Sequence, residues 1–115
     1  MRLGGALFTL LALTAAASVQ ADDPVPVAQL YEEKCLACHM ADGKAAVEDM
    51  SLADGKWKHG TKLSDIAKVI REGVEGTAMQ PFKDQLSKQE MEALARYVRA
   101  FDKTLKPEPD EKKKK

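Results

Sequence analysis

The sequence predicts an all-α domain with three main helices joined by long loops. Two observations carry that expectation. No segment alternates apolar and polar residues over the length of a strand. Three segments instead repeat apolar residues at helical spacing, and glycine or proline punctuates the stretches between them. The chain has 115 residues, room for one domain.

The first stretch is expected to lie outside that domain. Met1 and Arg2 supply positive charge, Leu3 to Ala17 is apolar or small, and Val19-Gln20-Ala21 carries small or apolar residues at the two positions a signal peptidase reads. This is the three-part layout of a secretory signal peptide. Cleavage after Ala21 leaves a domain over residues 22–105 and a tail over 106–115. The uncharged run ending at Ala21, ~19 residues long, approaches the lower limit for a membrane span. Its second half is alanine-rich and weakly apolar, which favours cleavage. No cysteine adjoins the cleavage site, so a lipid anchor is not expected. No later stretch is apolar enough to cross a bilayer. The expectation is an exported periplasmic protein with no stable membrane insertion.

The elements follow in order. A helix is expected from Val27 to Cys38, with Pro26 at its first turn. Residues 40–63 read as loop around Gly43, Gly55 and Gly60, with one turn over Ala45 to Met50. Ser64 suits the N-cap of a helix over Asp65–Glu72. Ile66, Val69 and Ile70 form its stripe, and Gly73 follows as a residue able to take positive φ. Residues 73–86 make a second loop containing Gly76, Met79 and Pro81. Ser87 and Glu90 then form a capping box, each side chain satisfying a backbone N–H at the helix start. Met91, Leu94, Val98 and Phe101 continue that helix to about Lys103. Pro107 and Pro109 end regular structure, and the lysine-rich remainder is expected to be disordered.

Charge and composition narrow the function. Residues 22–105 carry 12 Lys/Arg and 15 Asp/Glu, whereas the tail carries 5 Lys and 3 acids. No basic face with interleaved aromatics appears, so nucleic acid is not an expected partner. The whole chain has one Trp, two Tyr and three Phe, and Phe8 belongs to the signal. So few large core residues suit a domain in which a bulky prosthetic group completes the core.

Cys35-Leu36-Ala37-Cys38-His39 supplies the means to hold one. In Cys-x-x-Cys-His, each thiol adds to a haem vinyl group as a thioether. The histidine, four residues after the first cysteine, falls on the same helical face and reaches the iron. Three other readings compete. A thioredoxin-like redox pair wants a βαβ context, which is absent. A disulfide suits an oxidising compartment. A zinc site needs four good ligands, and adjacent Cys38 and His39 fit a tetrahedron poorly. Both cysteines of the chain lie inside the motif, which favours covalent haem.

The sixth iron ligand is open among His59 and Met40, Met50, Met79 and Met91. Met91 belongs to a core stripe, and Met40 adjoins the proximal histidine. His59 sits in a loop between lysines. Met79 lies in Gly76-Thr77-Ala78-Met79-Gln80-Pro81-Phe82, whose glycine and proline restrict the backbone without requiring a helix.

From Leu30 to Phe101 the chain resembles the small bacterial class I cytochromes c. The resemblance rests on Tyr31 before the motif, the motif itself, the Gly-x-x-Met-x-x-Phe loop and Tyr97 within the last amphipathic helix. It implies a class I cytochrome c fold around one covalently bound haem, with His39 and Met79 as axial iron ligands. It also implies that the first and last helices cross near Tyr31 and Tyr97. Leu52 to Trp57 resembles the family's loop whose tryptophan donates to a haem propionate, which makes Trp57 a cofactor-binding candidate beside plain core packing. Two features depart from the pattern. Val27-Ala28 stands where a glycine usually lies at the helix crossing. No proline occurs between His39 and Pro81, so the usual carbonyl acceptor of the proximal imidazole is missing.

A haem iron with both axial positions filled disfavours catalysis. The expectation is a monomeric, non-enzymatic carrier that shuttles one electron between redox partner proteins such as an oxidase, reductase or dehydrogenase, through a transient interface. The alternative is a haem enzyme or gas sensor with a labile sixth ligand. Lys34, Lys44, Lys56, Lys58, Lys62 and Lys83 are candidates to rim the exposed haem edge. Lys112–Lys115 suit a solubilising tail or an anionic contact.

Overall fold

The computed structural model describes residues 25–108, together with 4, 5 and 9–12. The expected signal cleavage after Ala21 and the four terminal lysines lie outside the described residues. Among those described there is no strand, and no helix is long and apolar enough to cross a membrane. Four helices form: α1 (Val27–Lys34), α2 (Leu36–His39), α3 (Leu63–Glu72) and α4 (Lys88–Arg99). Helix α4 is central, packing against both α1 and α3.

The expected single helix over Val27–Cys38 is broken at Cys35, whose φ of −123° leaves the helical range. An unbroken helix would place Cys38 ~60° from Cys35 and Leu36 ~100° from it. Cys38 would then turn inward before Leu36 did. The break reverses that order: Cys35 and Leu36 lean on the core, and Cys38 is exposed.

Helices α1 and α4 meet through aromatic rings. The Tyr31 ring centroid lies 5.1 Å from Tyr97 and 5.3 Å from Phe101, and those two rings lie 5.4 Å apart. Such tilted and edge-on pairs add to simple area burial. Val27, near the usual glycine position, packs against the core, and Ala28 faces out. The core continues through Leu30, Ile66, Ile70, Leu94 and Val98, with Met91 on the same face of α4.

Helix α3 begins at Leu63, two residues before the expected start. Its first turn is capped by groups other than Ser64. Asp65 Oδ2 accepts from the Lys62 backbone N–H at 3.3 Å, and Glu108 Oε2 accepts from the Leu63 N–H at 3.0 Å. At the other end Gly73 has φ +68°, as expected of the residue that closes the helix.

The α4 capping box forms as read from the sequence. Ser87 N–H donates to Glu90 Oε1 at 2.8 Å, and Glu90 N–H donates to Ser87 Oγ at 3.1 Å. The helix stops at Arg99, short of Lys103. Phe101 and Asp102 donate to the carbonyls of Val98 and Arg99 in tighter turns, at 3.1 and 3.2 Å. Those turns swing the Asp102 side chain inward.

The chain after α4 folds back instead of becoming tail at residue 106. Arg99 donates to the Lys106 carbonyl at 2.6 Å and to the Thr61 carbonyl at 2.7 Å, and its guanidinium lies 3.8 Å from Glu108. The ordered unit therefore runs at least to Glu108.

Leu94 has no exposed surface. Leu94→Ala is expected to cost about 2–5 kcal/mol of stability by leaving a cavity at the meeting of α4 with its neighbours. Ser87→Ala is expected to cost only ~1 kcal/mol by removing one cap. Chemical denaturation of the two variants side by side measures the difference.

Candidate haem site

The attachment motif sits on the α1–α2 turn, held by main-chain bonds to its cysteine end. Cys35 N–H donates to the Tyr31 carbonyl at 2.9 Å, and His39 N–H donates to the Cys35 carbonyl at 2.9 Å. Both thiols are free. Burial pushes the Cys35 thiol up to about 11, and the Cys38 sulfur beside it acts in the same direction. A dithiol redox catalyst needs the opposite, a thiolate stabilised near neutral pH. Among the described residues no three His, Cys, Asp or Glu side chains gather to hold a metal, so the zinc reading has no ligand set.

His39 is oriented by a main-chain atom. Its Nδ1 lies 2.5 Å from the carbonyl oxygen of Met50. A carbonyl only accepts, so this contact places the proton on Nδ1 and leaves the lone pair of Nε2 outward. The carbonyl stands in for the missing proline, and the segment around it is well fixed. Met50 closes a 3₁₀ turn over Glu48–Met50, near the single turn expected there. Leu52 N–H and Ser51 Oγ both donate to the Gly43 carbonyl, at 2.7 and 3.1 Å. Gly43 has φ +72°, and a Cβ there would fall 2.8 Å from Phe101 Cδ2. The loop behind His39 thus packs directly on the aromatic trio.

The chain reverses immediately after His39. Met40 has φ 63° and ψ 165°, a region nearly restricted to glycine, at a cost of order 1–3 kcal/mol. Its N–H donates to the Leu36 carbonyl at 2.9 Å, and its carbonyl accepts from the Tyr31 hydroxyl at 2.5 Å. Burial, with neighbouring Cys35 second, pushes the Tyr31 phenol up to about 12. It therefore remains a donor throughout the ordinary pH range.

Met79 sits in a loop latched to the end of α3. Phe82 and Lys83 donate their N–H groups to the carbonyls of Ile70 and Arg71, at 3.0 and 3.3 Å. These bonds satisfy carbonyls that a helix end leaves without partners. Val74 N–H donates to the Met79 carbonyl at 2.9 Å, and Met79 N–H donates to Thr77 Oγ1 at 3.2 Å. Thr77 Oγ1 in turn donates to the Val74 carbonyl at 2.7 Å. A Cβ on Gly73 would fall 2.6 Å from the Met79 carbonyl oxygen and 2.7 Å from Pro81 N. The Met79 side chain packs partly buried against the core. His59, the other ligand candidate, is exposed, in a hollow it shares with Asp65, Lys68 and Glu72.

Trp57 is half-buried against the core, but its N–H is engaged elsewhere than sequence resemblance implied. Nε1 donates to Asp102 Oδ2 at 2.8 Å. An indole has one donor, and here it is given to a carboxylate of the chain itself. Two of the candidate edge lysines also have local partners: Lys56 pairs with Glu48, and Lys58 with Asp49. The Asp49 carboxyl is held below its ordinary range by the Lys58 hydrogen bond, and Lys56 above its ordinary range by Glu48.

Comparisons with known proteins place the chain among c-type cytochromes. The family model for cytochrome c oxidase, cbb3-type, subunit III matches residues 22–98. The chain is 32% identical over 94 residues to the chloroplastic cytochrome c6 of Chlamydomonas reinhardtii, covering 78% of this chain and 62% of that protein. It is 31% identical over 81 residues to the cbb3-type cytochrome c oxidase subunit CcoP of Rhodobacter capsulatus, covering 64% of this chain and 27% of that one. It also matches the whole of a solved c-type cytochrome, KustC0563, with TM-score 0.58 and 32% identity over 69% of this chain. The chain belongs to the cbb3-type subunit III family of c-type cytochromes, with the helical cytochrome c fold. It spans less than two thirds of the curated relatives' own length.

Haem c is the prosthetic group of this family, and the residues present fit it. Two unpaired thiols flank a turn, and the histidine beside them has its Nδ1 already occupied by the Met50 carbonyl. The methionine loop is latched to the end of α3 by main-chain bonds. Gly73→Ala is expected to destabilise the domain by more than ~1 kcal/mol, because the new Cβ meets backbone atoms at a positive φ. Urea denaturation reads this loss, and a variant as stable as the parent would show that the Met79 loop yields freely.

Proposed function

We propose that this chain is a one-electron carrier, with Cys35 and Cys38 as thioether attachment points and His39 and Met79 as axial ligands. The His39–Met50 contact carries the reading, because it leaves the imidazole with one nitrogen committed to the chain and one free for iron. When bound, the haem supplies a one-electron couple at its iron. The protein's part is to hold two ligands still. A hydrogen bond from Nδ1 to a carbonyl fixes ring orientation and strengthens the other nitrogen as a donor. The Met79 thioether, if it held the iron, would favour the reduced state and raise the potential. With His39 and Met79 both holding the iron, oxygen and peroxide would find no open position, which is why we assign no enzymatic step.

The same reading extends to partners and place. The exposed Cys38 side of the motif fits electron exchange at a haem edge with a redox protein such as an oxidase subunit. Lys34, Lys44, Lys62 and Lys83 are the edge lysines without an ion pair described above, and they suit steering toward an acidic surface. We place the protein in the periplasm as a soluble monomer, exported by the 1–21 signal peptide.

Mass spectrometry of the denatured, purified chain is expected to show one covalent haem, and an unmodified chain would end this reading. Met79→Ala is expected to lose the methionine-to-ferric-haem charge-transfer band and lower the potential. Gly73→Ala should weaken the same band while covalent haem content stays unchanged. A band that survives Met79→Ala points to another methionine, and a parent protein without the band points to a nitrogen ligand, with His59 the residue to change next.

A further inference from the structure

The end of α4 holds the Trp57 segment by three separate contacts, each made to a different atom class. Asp102 takes the indole N–H of Trp57 at 2.8 Å. Arg99 takes the Thr61 carbonyl at 2.7 Å. Glu108 takes the Leu63 N–H at 3.0 Å and lies against Arg99. Asp102 is the only buried charged residue of the core region among those described, at 3% exposure. A buried carboxylate is costly unless its oxygens are bonded. Here Oδ2 has the indole, and Oδ1 accepts from Thr104 N–H at 3.0 Å and Thr104 Oγ1 at 2.6 Å. A neutral residue of similar shape would avoid the desolvation, so the retained charge calls for a role.

We propose that Asp102 is a positioning residue for Trp57, and that with Arg99 and Glu108 it fastens residues 57–63 to the end of α4. The indole is thereby committed to the protein. The loop closes on the domain from the C-terminal side, independently of any haem carboxylate. That this loop covers the haem rests on the haem-site reading above.

Charges near Asp102 support its ionised state. The Thr104 hydroxyl and then the Trp57 indole hold its carboxyl below the ordinary carboxylate range, with Arg99 on α4 adding to the effect. From the loop, Lys56 and Lys58 are turned to Glu48 and Asp49, and Thr104 is neutral. A carboxyl lowered in the folded state stabilises that state at neutral pH. The contribution is lost as pH falls through the lowered value.

Trp57 is the sole tryptophan, so its indole N–H gives a single proton resonance in the ferrous holoprotein. In Asp102→Ala that resonance is expected to move upfield, with exchange against solvent faster by about tenfold or more. Asp102→Asn keeps an acceptor oxygen without the charge, so a smaller shift in the same direction is expected. In the unmodified protein the resonance should move upfield as pH drops below the ordinary carboxylate range, and in Asp102→Asn it should not. Reduction potentials of Asp102→Ala, Trp57→Phe and the double variant are expected to be non-additive, since both changes break one bond. An indole resonance unmoved by Asp102→Asn and Asp102→Ala, or strictly additive potentials, would overturn the proposal. Covalent haem content, read by mass on the same samples, reports separately on the haem site.

Discussion

The hydroxyl of Tyr31 bonded to the carbonyl of Met40 is the contact on which the site's geometry depends. Its ring, 1% exposed, is part of the aromatic trio that joins α1 to α4. Its oxygen reaches past the motif to the first residue beyond His39. One side chain thus ties the helix crossing to the reversal of the chain. Met40 can be held in a glycine-like conformation because the bond and the packing above it over-determine its backbone. Phe101 extends the same constraint, since it rests on Gly43, whose carbonyl anchors the loop carrying the His39 acceptor.

The two sides of the site are built alike. His39 is oriented by a loop whose position is set by main-chain bonds to Gly43, and Met79 by a loop whose position is set by main-chain bonds to α3. Neither depends on the surface ion pairs. Lys56–Glu48 and Lys58–Asp49 are well exposed on both partners, where water and salt screen most of the attraction. Rigidity comes instead from main-chain carbonyls, of Gly43 on one loop and of the end of α3 on the other, that accept from loop donors. Side chains held this way would need little rearrangement on a change of charge beside them, in keeping with the ligand roles proposed for His39 and Met79.

Much of this was legible from residue types because it is local. Ser87 and Glu90 are three apart and cap each other, Gly73 ends α3 with positive φ, and the α4 stripe is buried as its spacing implied. The motif and the Met79 loop announce themselves by composition. What escaped is long-range or main-chain. Glu108 caps α3 and Asp102 holds Trp57 across 45 residues each, a distance over which spacing carries no signal. Resemblance pointed to the Trp57 indole but could not show its partner at the end of α4. The break at Cys35 depends on which neighbours the core supplies, and the early end of α4 on the inward turn of Asp102.

The Met50 carbonyl has one more consequence. Every residue type but its side chain brings the same oxygen to that place, so the partner of the proximal imidazole is invisible to side-chain mutagenesis and to residue-by-residue comparison. Evolution is free to change what stands at position 50, provided the path from His39 to that oxygen keeps its length. Insertions or deletions between residues 41 and 50, and a side chain at Gly43, are the changes that would move that oxygen, whereas a substitution at position 50 would leave it in place.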